Sequence, residues 1–119
     1  MRSSTCCSAR SHDISYAEVF SYQLQSQARP GDVLVAISSS GRSENIVRAL
    51  RWARDNGLHT IAFTGFEGGE ARAVADVSIH VRSSNYGVIE DTHQGIMHAM
   101  AQYIRQSRMS VEAIERQAF

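Results

Sequence analysis

The residues best suited to chemistry fall in two short stretches. The first is Ser38-Ser39-Ser40-Gly41-Arg42-Ser43, where Ser38, Ser39, Ser40 and Ser43 offer hydroxyls around a glycine. Serine hydroxyls donate to phosphate oxygens, and a glycine lets the chain turn tightly enough to aim backbone amides at the same anion. Helix capping is the competing use of these serines, and the residues alone leave both uses open. The second stretch is Glu90-Asp91-Thr92-His93-Gln94-Gly95-Ile96-Met97-His98. Histidine titrates near neutrality, so this segment can supply the acid and base that move a proton between adjacent carbons. A metal could polarise a carbonyl beside them. His93 also falls on an apolar stripe with Ile89, Ile96 and Met97, where a core histidine is the other reading. His12, His59 and His80 have no partner at useful spacing and are read as incidental.

Both stretches need elements to hold them. Ser15-Tyr16-Ala17-Glu18 has capping-box spacing, and Tyr16, Val19, Phe20 and Leu24 predict a helix over about 15–28, stopped by Pro30-Gly31. Asp32–Ile37 is a continuous apolar run, which predicts a strand buried on both faces of a parallel sheet. Ile46, Val47, Ala49, Leu50 and Ala53 mark the next helix, closed at Asn56-Gly57. Thr60–Thr64 and Val77–Val81 are further strands, with a short helix over about 69–76 between them. A long helix follows over about 88–106, and the tail 109–119 suits another. Alternating strands and helices predict an α/β fold, a three-layer parallel sheet with helices on both faces. The serine loop then lies beyond the carboxyl end of a strand and opens a helix, where the free amides and the dipole favour an anion. Thr64 is a further candidate to approach a ligand; Glu67-Gly68-Gly69-Glu70 reads as a turn.

The 119 residues allow one domain, and 43% hydrophobic with 20% charged residues is a globular composition. Twelve Lys+Arg balance twelve Asp+Glu, so neither nucleic acid nor a membrane surface is an expected partner. Cys6 and Cys7 are adjacent and have no third cysteine to pair with. No apolar run approaches the ~18 residues of a membrane span, and Met1–Asp13 lacks the apolar core of a secretory signal. A cytoplasmic location is expected, with residues 1–14 as a disordered leader. The serine loop lacks the Gly-x-x-x-x-Gly-Lys and Gly-x-Gly-x-x-Gly patterns, so no nucleotide cofactor is expected, and a phosphate on a small molecule is.

Gly31-Asp32-Val33-Leu34-Val35-Ala36-Ile37 followed by Ser38-Ser39-Ser40-Gly41-Arg42-Ser43-Glu44-Asn45 resembles the signature of the sugar isomerase (SIS) domain family, a strand followed by Ser-x-Ser-Gly-x-Ser. The likeness continues through Thr60–Gly65 and Ala75-Asp76-Val77 over about residues 15–106, with 107–119 as a helical tail. Within that family it is similar to phosphoheptose isomerases, which interconvert sedoheptulose 7-phosphate and a heptose 7-phosphate. The resemblance implies a flavodoxin-like sheet, with Ser38, Ser39, Ser40 and Ser43 as ligands of a sugar phosphate. It implies that Glu90 and His98 line the active site and ligate zinc, that His98 is catalytic, and that His93 is the histidine between them. Glu90 stands where the family has Gln, and Gly87 where it has an Asp. Eight residues along an ideal helix separate Glu90 from His98 by about 12 Å and by ~80° in azimuth.

Whole members of the family begin with helices and a first strand ending in an Asn-Gly-Gly-Ser loop, which supplies a second phosphate contact, a His ligand and a Glu base. This sequence carries no such loop. The expectation is a partial SIS domain lacking the N-terminal helices and first strand, with an exposed edge and apolar surface. A homo-oligomer, dimer or tetramer, is therefore expected. Isomerase, non-catalytic sugar-phosphate-binding module and inactive fragment are the three functional alternatives.

Overall fold

The computed structural model describes residues 15–118. The leader 1–14, with Cys6, Cys7 and His12, lies outside the described residues. A short 3-10 turn, Tyr16–Glu18, runs into helix α1, Val19–Gln27. The capping box does not form: Ser15 makes no side-chain cap, and Glu18 reaches instead to Arg48, 3.1 Å away on the helix Glu44–Asp55. Then come β1 (Val33–Ile37), α2 (Glu44–Asp55), β2 (His59–Thr64), α3 (Gly69–Val74), β3 (Val77–His80), α4 (Tyr86–Gln106) and α5 (Val111–Arg116).

The three strands are parallel in the order β1-β2-β3. Leu34 lies opposite Thr60 and Ala36 opposite Ala62, which puts these four residues on one face. Helices α2 and α3 cover that face, where Leu50 and Ala71 pack with Ala36 and Ala62 into the core. Alanines on both sides of the contact let the helices sit close to the sheet, and Leu50, fully enclosed, fills the space between them. Helix α4 lies over the other face, where the His93 ring meets Phe63 edge-on, 5.4 Å between centroids.

Helices therefore lie on both faces, as expected, but their cover is uneven. Val33, Val35 and Ile37 are 56%, 43% and 45% exposed, and Val77 is 52% exposed. The apolar run of β1 is thus buried only on the α2 side, which corrects the expectation of a strand buried on both faces. The correction has a simple cause: an apolar run shows that a strand is built to be covered twice, and not whether both layers stand over it. Asp76 anchors the start of β3 to β2. Its Oδ2 accepts from the Thr60 backbone N–H and hydroxyl at 3.0 and 3.1 Å, while its own N–H donates to the Thr60 Oγ1 at 2.8 Å. Those hydrogen bonds hold the Asp76 carboxyl below its ordinary range.

Candidate functional site

The serine loop leaves β1 at Ser38 and enters α2 at Glu44. Its base is tied to β2. The Ser38 N–H donates to the Phe63 carbonyl at 3.0 Å, and the Gly65 N–H donates to the Ser39 carbonyl at 2.7 Å. Ser38 is 8% exposed. Its Oγ accepts from the Gly41 N–H at 3.1 Å and lies 3.3 Å from the Ser43 Oγ. The Ser38 hydroxyl thus shapes the loop from inside. Ser39 and Ser40 are half-buried and Ser43 is exposed. The Ser40 Oγ accepts from the Arg42 N–H at 3.2 Å. Ser43 occupies the N-cap of α2 yet makes no side-chain cap. Capping thus does not account for it; the Ile46 N–H donates to the Asn45 Oδ1 at 2.9 Å, and the amides of Glu44 and Asn45 are the kind of donors a helix start leaves for an anion. The acidic residue of that first turn, Glu44, is held by Arg48 at 2.6 Å, which offsets its charge near the loop.

Gly41 adopts φ +69°, and a Cβ there would overlap the carbonyl of Gly68. Reciprocally, a Cβ on Gly69 would come within 2.5 Å of the Gly41 carbonyl oxygen. That oxygen accepts from the Ala71 N–H at 3.0 Å. The Gly68-Gly69 turn is therefore more than a turn: two backbones interlock, and the start of α3 clamps the serine loop.

Thr64 and His93, both sequence candidates, lie inside the protein. Thr64 is fully buried and His93 is 2% exposed. The His93 Nε2–H donates to the Thr64 carbonyl at 2.9 Å, and its Nδ1 is buried without a partner. His93 serves the core reading: it fastens α4 to the end of β2. Glu90 and His98 are exposed on α4, and the His98 Nε2 pairs with the Gln102 amide at 3.1 Å. Helix α4 is continuous from Tyr86, capped by Asn85, so no irregular first turn draws Glu90 towards His98. Among the described residues no group of three or more His, Cys, Asp or Glu side chains could hold a metal ion. Zinc takes four ligands, three of them from protein in a catalytic site. Glu90 and His98 alone do not meet that need.

Sequence reasoning missed His80. It pairs with Thr64 across the β2–β3 register, and its Nδ1 shares a 3.0 Å hydrogen bond with the Thr64 hydroxyl. It faces a cavity of about 750 Å³ lined also by Ser40, Arg42, Phe66, Arg72 and Arg82. Burial, then the Arg72 and Arg82 guanidiniums, hold the imidazole below its ordinary range, against Glu67 and the Phe66 backbone. His80 is therefore neutral in the folded chain at neutral pH. The unfolded chain takes up this proton first, so stability falls as pH drops through about 6.5 towards the lower folded value. Melting curves between pH 7.5 and 5 should show a decline that is shallower in His80→Gln. Parallel declines in the two proteins would contradict it.

A family model of the SIS domain matches residues 2–65, a span that contains β1, the serine loop, α2 and β2. The chain belongs to the SIS domain family. This SIS chain is 42% identical over 96 residues to a probable phosphoheptose isomerase of Thermoplasma acidophilum, covering 81% of the chain and 53% of the relative. A phosphoheptose isomerase of Mycobacterium tuberculosis is 40% identical over 96 residues, covering 81% and 49%. The solved phosphoheptose isomerase of Neisseria gonorrhoeae superposes on the SIS chain with TM-score 0.82 at 35% identity, over 87% of this chain and 58% of that one. The Francisella tularensis phosphoheptose isomerase also gives 0.82, at 29% identity, over 87% and 56%. The chain thus spans about half the length of the curated relatives it matches. No helix among the described residues is long and apolar enough to cross a membrane.

Proposed function

We propose that this SIS chain binds a phosphorylated sugar on the serine loop and serves an aldose–ketose isomerisation of the phosphoheptose-isomerase type, on sedoheptulose 7-phosphate or a related sugar phosphate. The observation that carries this reading is the loop itself. Its backbone is locked by β2 and the Gly68-Gly69 turn, while Ser39, Ser40 and Ser43 stay accessible at the start of α2. The names of the similar proteins point the same way. In such a reaction a base removes the proton from the carbon beside the carbonyl, an enediol forms, and an acid returns a proton to the neighbouring carbon. His98 is the proposed proton-transfer group and Glu90 its acidic companion on α4. Zinc, if part of the site, would need donors besides these two. The exposed face of Val33, Val35, Ile37 and Val77 supports association into a homo-oligomer, dimer or tetramer. A cytoplasmic location completes the reading.

One observation favours a second reading, a non-catalytic sugar-phosphate-binding module: among the described residues Glu90 and His98 belong to no group of three acidic, cysteine or imidazole side chains that could hold a metal ion. An isomerase assay on sedoheptulose 7-phosphate, with and without added zinc, separates the two. The isomerase reading expects turnover that His98→Ala lowers by roughly 10²–10⁴-fold while binding is kept. Binding without turnover in either protein would select the module, and absence of binding would reject both.

A further inference from the structure

The cavity beside Ser40 contains more positive charge than a single phosphate on the serine loop uses. Arg42 comes from the loop, Arg72 from α3 and Arg82 from the segment after β3. None of these three guanidiniums has an ion-pair or hydrogen-bond partner among the described residues. The other arginines near the helical face are engaged. Arg48 binds Glu18 and Glu44, Arg51 binds Glu70, and Arg54 donates to the Val74 carbonyl. Against the three unpaired cations the cavity offers one carboxylate, Glu67. Its wall also holds Tyr86, whose ring meets Phe66 at 4.7 Å. Phe66 sits at φ 46°, a conformation that costs a bulky residue of order 1–3 kcal/mol and persists only where its surroundings hold it. Its N–H is fixed to the Ser83 carbonyl at 3.0 Å. The volume, about 750 Å³, is that of a small-molecule site.

We propose that this cavity is a second anion subsite, continuous with the serine loop through Ser40, and that the preferred ligand is a phosphosugar carrying a second anionic group. The first phosphate would rest on the serine loop, which is the reading proposed above. Arg42, Arg72 and Arg82 would take the second group, since a planar guanidinium binds phosphate or carboxylate oxygens in pairs. Tyr86 and Phe66 give the intervening carbons an apolar wall.

Calorimetric titration of the full chain with fructose 6-phosphate, fructose 1,6-bisphosphate and 6-phosphogluconate tests this. The expected result is affinity at least tenfold tighter for a doubly anionic ligand than for the monophosphate. Arg72→Gln/Arg82→Gln should erase that advantage and leave monophosphate binding unchanged; both side chains are exposed, so folding should survive. The bisphosphate against the phosphogluconate tells whether phosphate or carboxylate is taken. Equal affinity for all three ligands, failure of both doubly anionic ligands to bind, or an advantage that survives the arginine changes would overturn the subsite. If the serine-loop reading alone is wrong, bisphosphate binding will be abolished by the arginine changes yet unaffected by Ser40→Ala.

Discussion

Gly41→Val is expected to destabilise the chain by about 3 kcal/mol or more and to abolish sugar-phosphate binding with it. Two costs add. Gly41 holds φ +69°, and the left-handed region costs an L-residue with a Cβ roughly 1–2 kcal/mol. The new Cβ would also overlap the Gly68 carbonyl. Both sides of that contact are backbone, so no side chain can swing aside. Relief requires α3 to move off the loop, which breaks the hydrogen bond from the Ala71 N–H to the Gly41 carbonyl. Gly95→Ala is the control. Gly95 lies within α4 and has nothing within 4 Å of its Cβ position, so alanine there should stabilise by up to about 1 kcal/mol. Urea midpoints of the two variants should move in opposite directions. Equal midpoints would mean that the interlock carries no stability.

Much of this fold could be read before the structure, because the strands and helices are marked by their own apolar patterns, and α1 and α2 also by Pro30 and Gly57 after their ends. The serine loop was equally legible, since its residues are contiguous. The failures share a cause: they depend on what the chain brings together from far away. Gly68-Gly69 reads as a turn because nothing local shows that Gly41 will lie against it. Arg42, Arg72 and Arg82 are spread over 41 positions, and only the parallel order of the strands gathers them at one cavity. His80 looked incidental because its partner Thr64 is a register neighbour on β2, not a sequence neighbour. Thr64 and His93 were chemically plausible, but burial assigns them to the packing of β2 against β3 and α4. Ser38 shows the same limit at shorter range. Its hydroxyl matches those of Ser40 and Ser43 in type, yet it points into the loop and holds Gly41.

On the proposed reading Ser39, Ser40 and Ser43 offer their hydroxyls to the ligand, and removal of Ser40 and Ser43 is the second large effect. A hydrogen bond to a charged group contributes about 1.5–3 kcal/mol, so each serine should be worth roughly ten- to a hundredfold in affinity for a phosphate ester. Ser40→Ala and Ser43→Ala should be well tolerated by the fold, because Ser40 is only half-buried and Ser43 makes no cap. Ser38→Ala should behave differently: it removes one of the two acceptors of the Gly41 N–H, leaving only the Ser38 carbonyl at 3.0 Å, and loosens the loop, lowering stability as well as affinity.

The most direct measurement is a titration of the chain with sedoheptulose 7-phosphate and with unphosphorylated sedoheptulose, repeated on the folded Ser40→Ala/Ser43→Ala protein. The phosphate should confer nearly all of the affinity, with the neutral sugar binding weakly or not at all, and the double variant should lose the phosphorylated sugar while keeping its melting temperature. Comparable binding of the two sugars, or undiminished binding of the phosphate ester by the double variant, would contradict the assignment of the serine loop as the phosphate site.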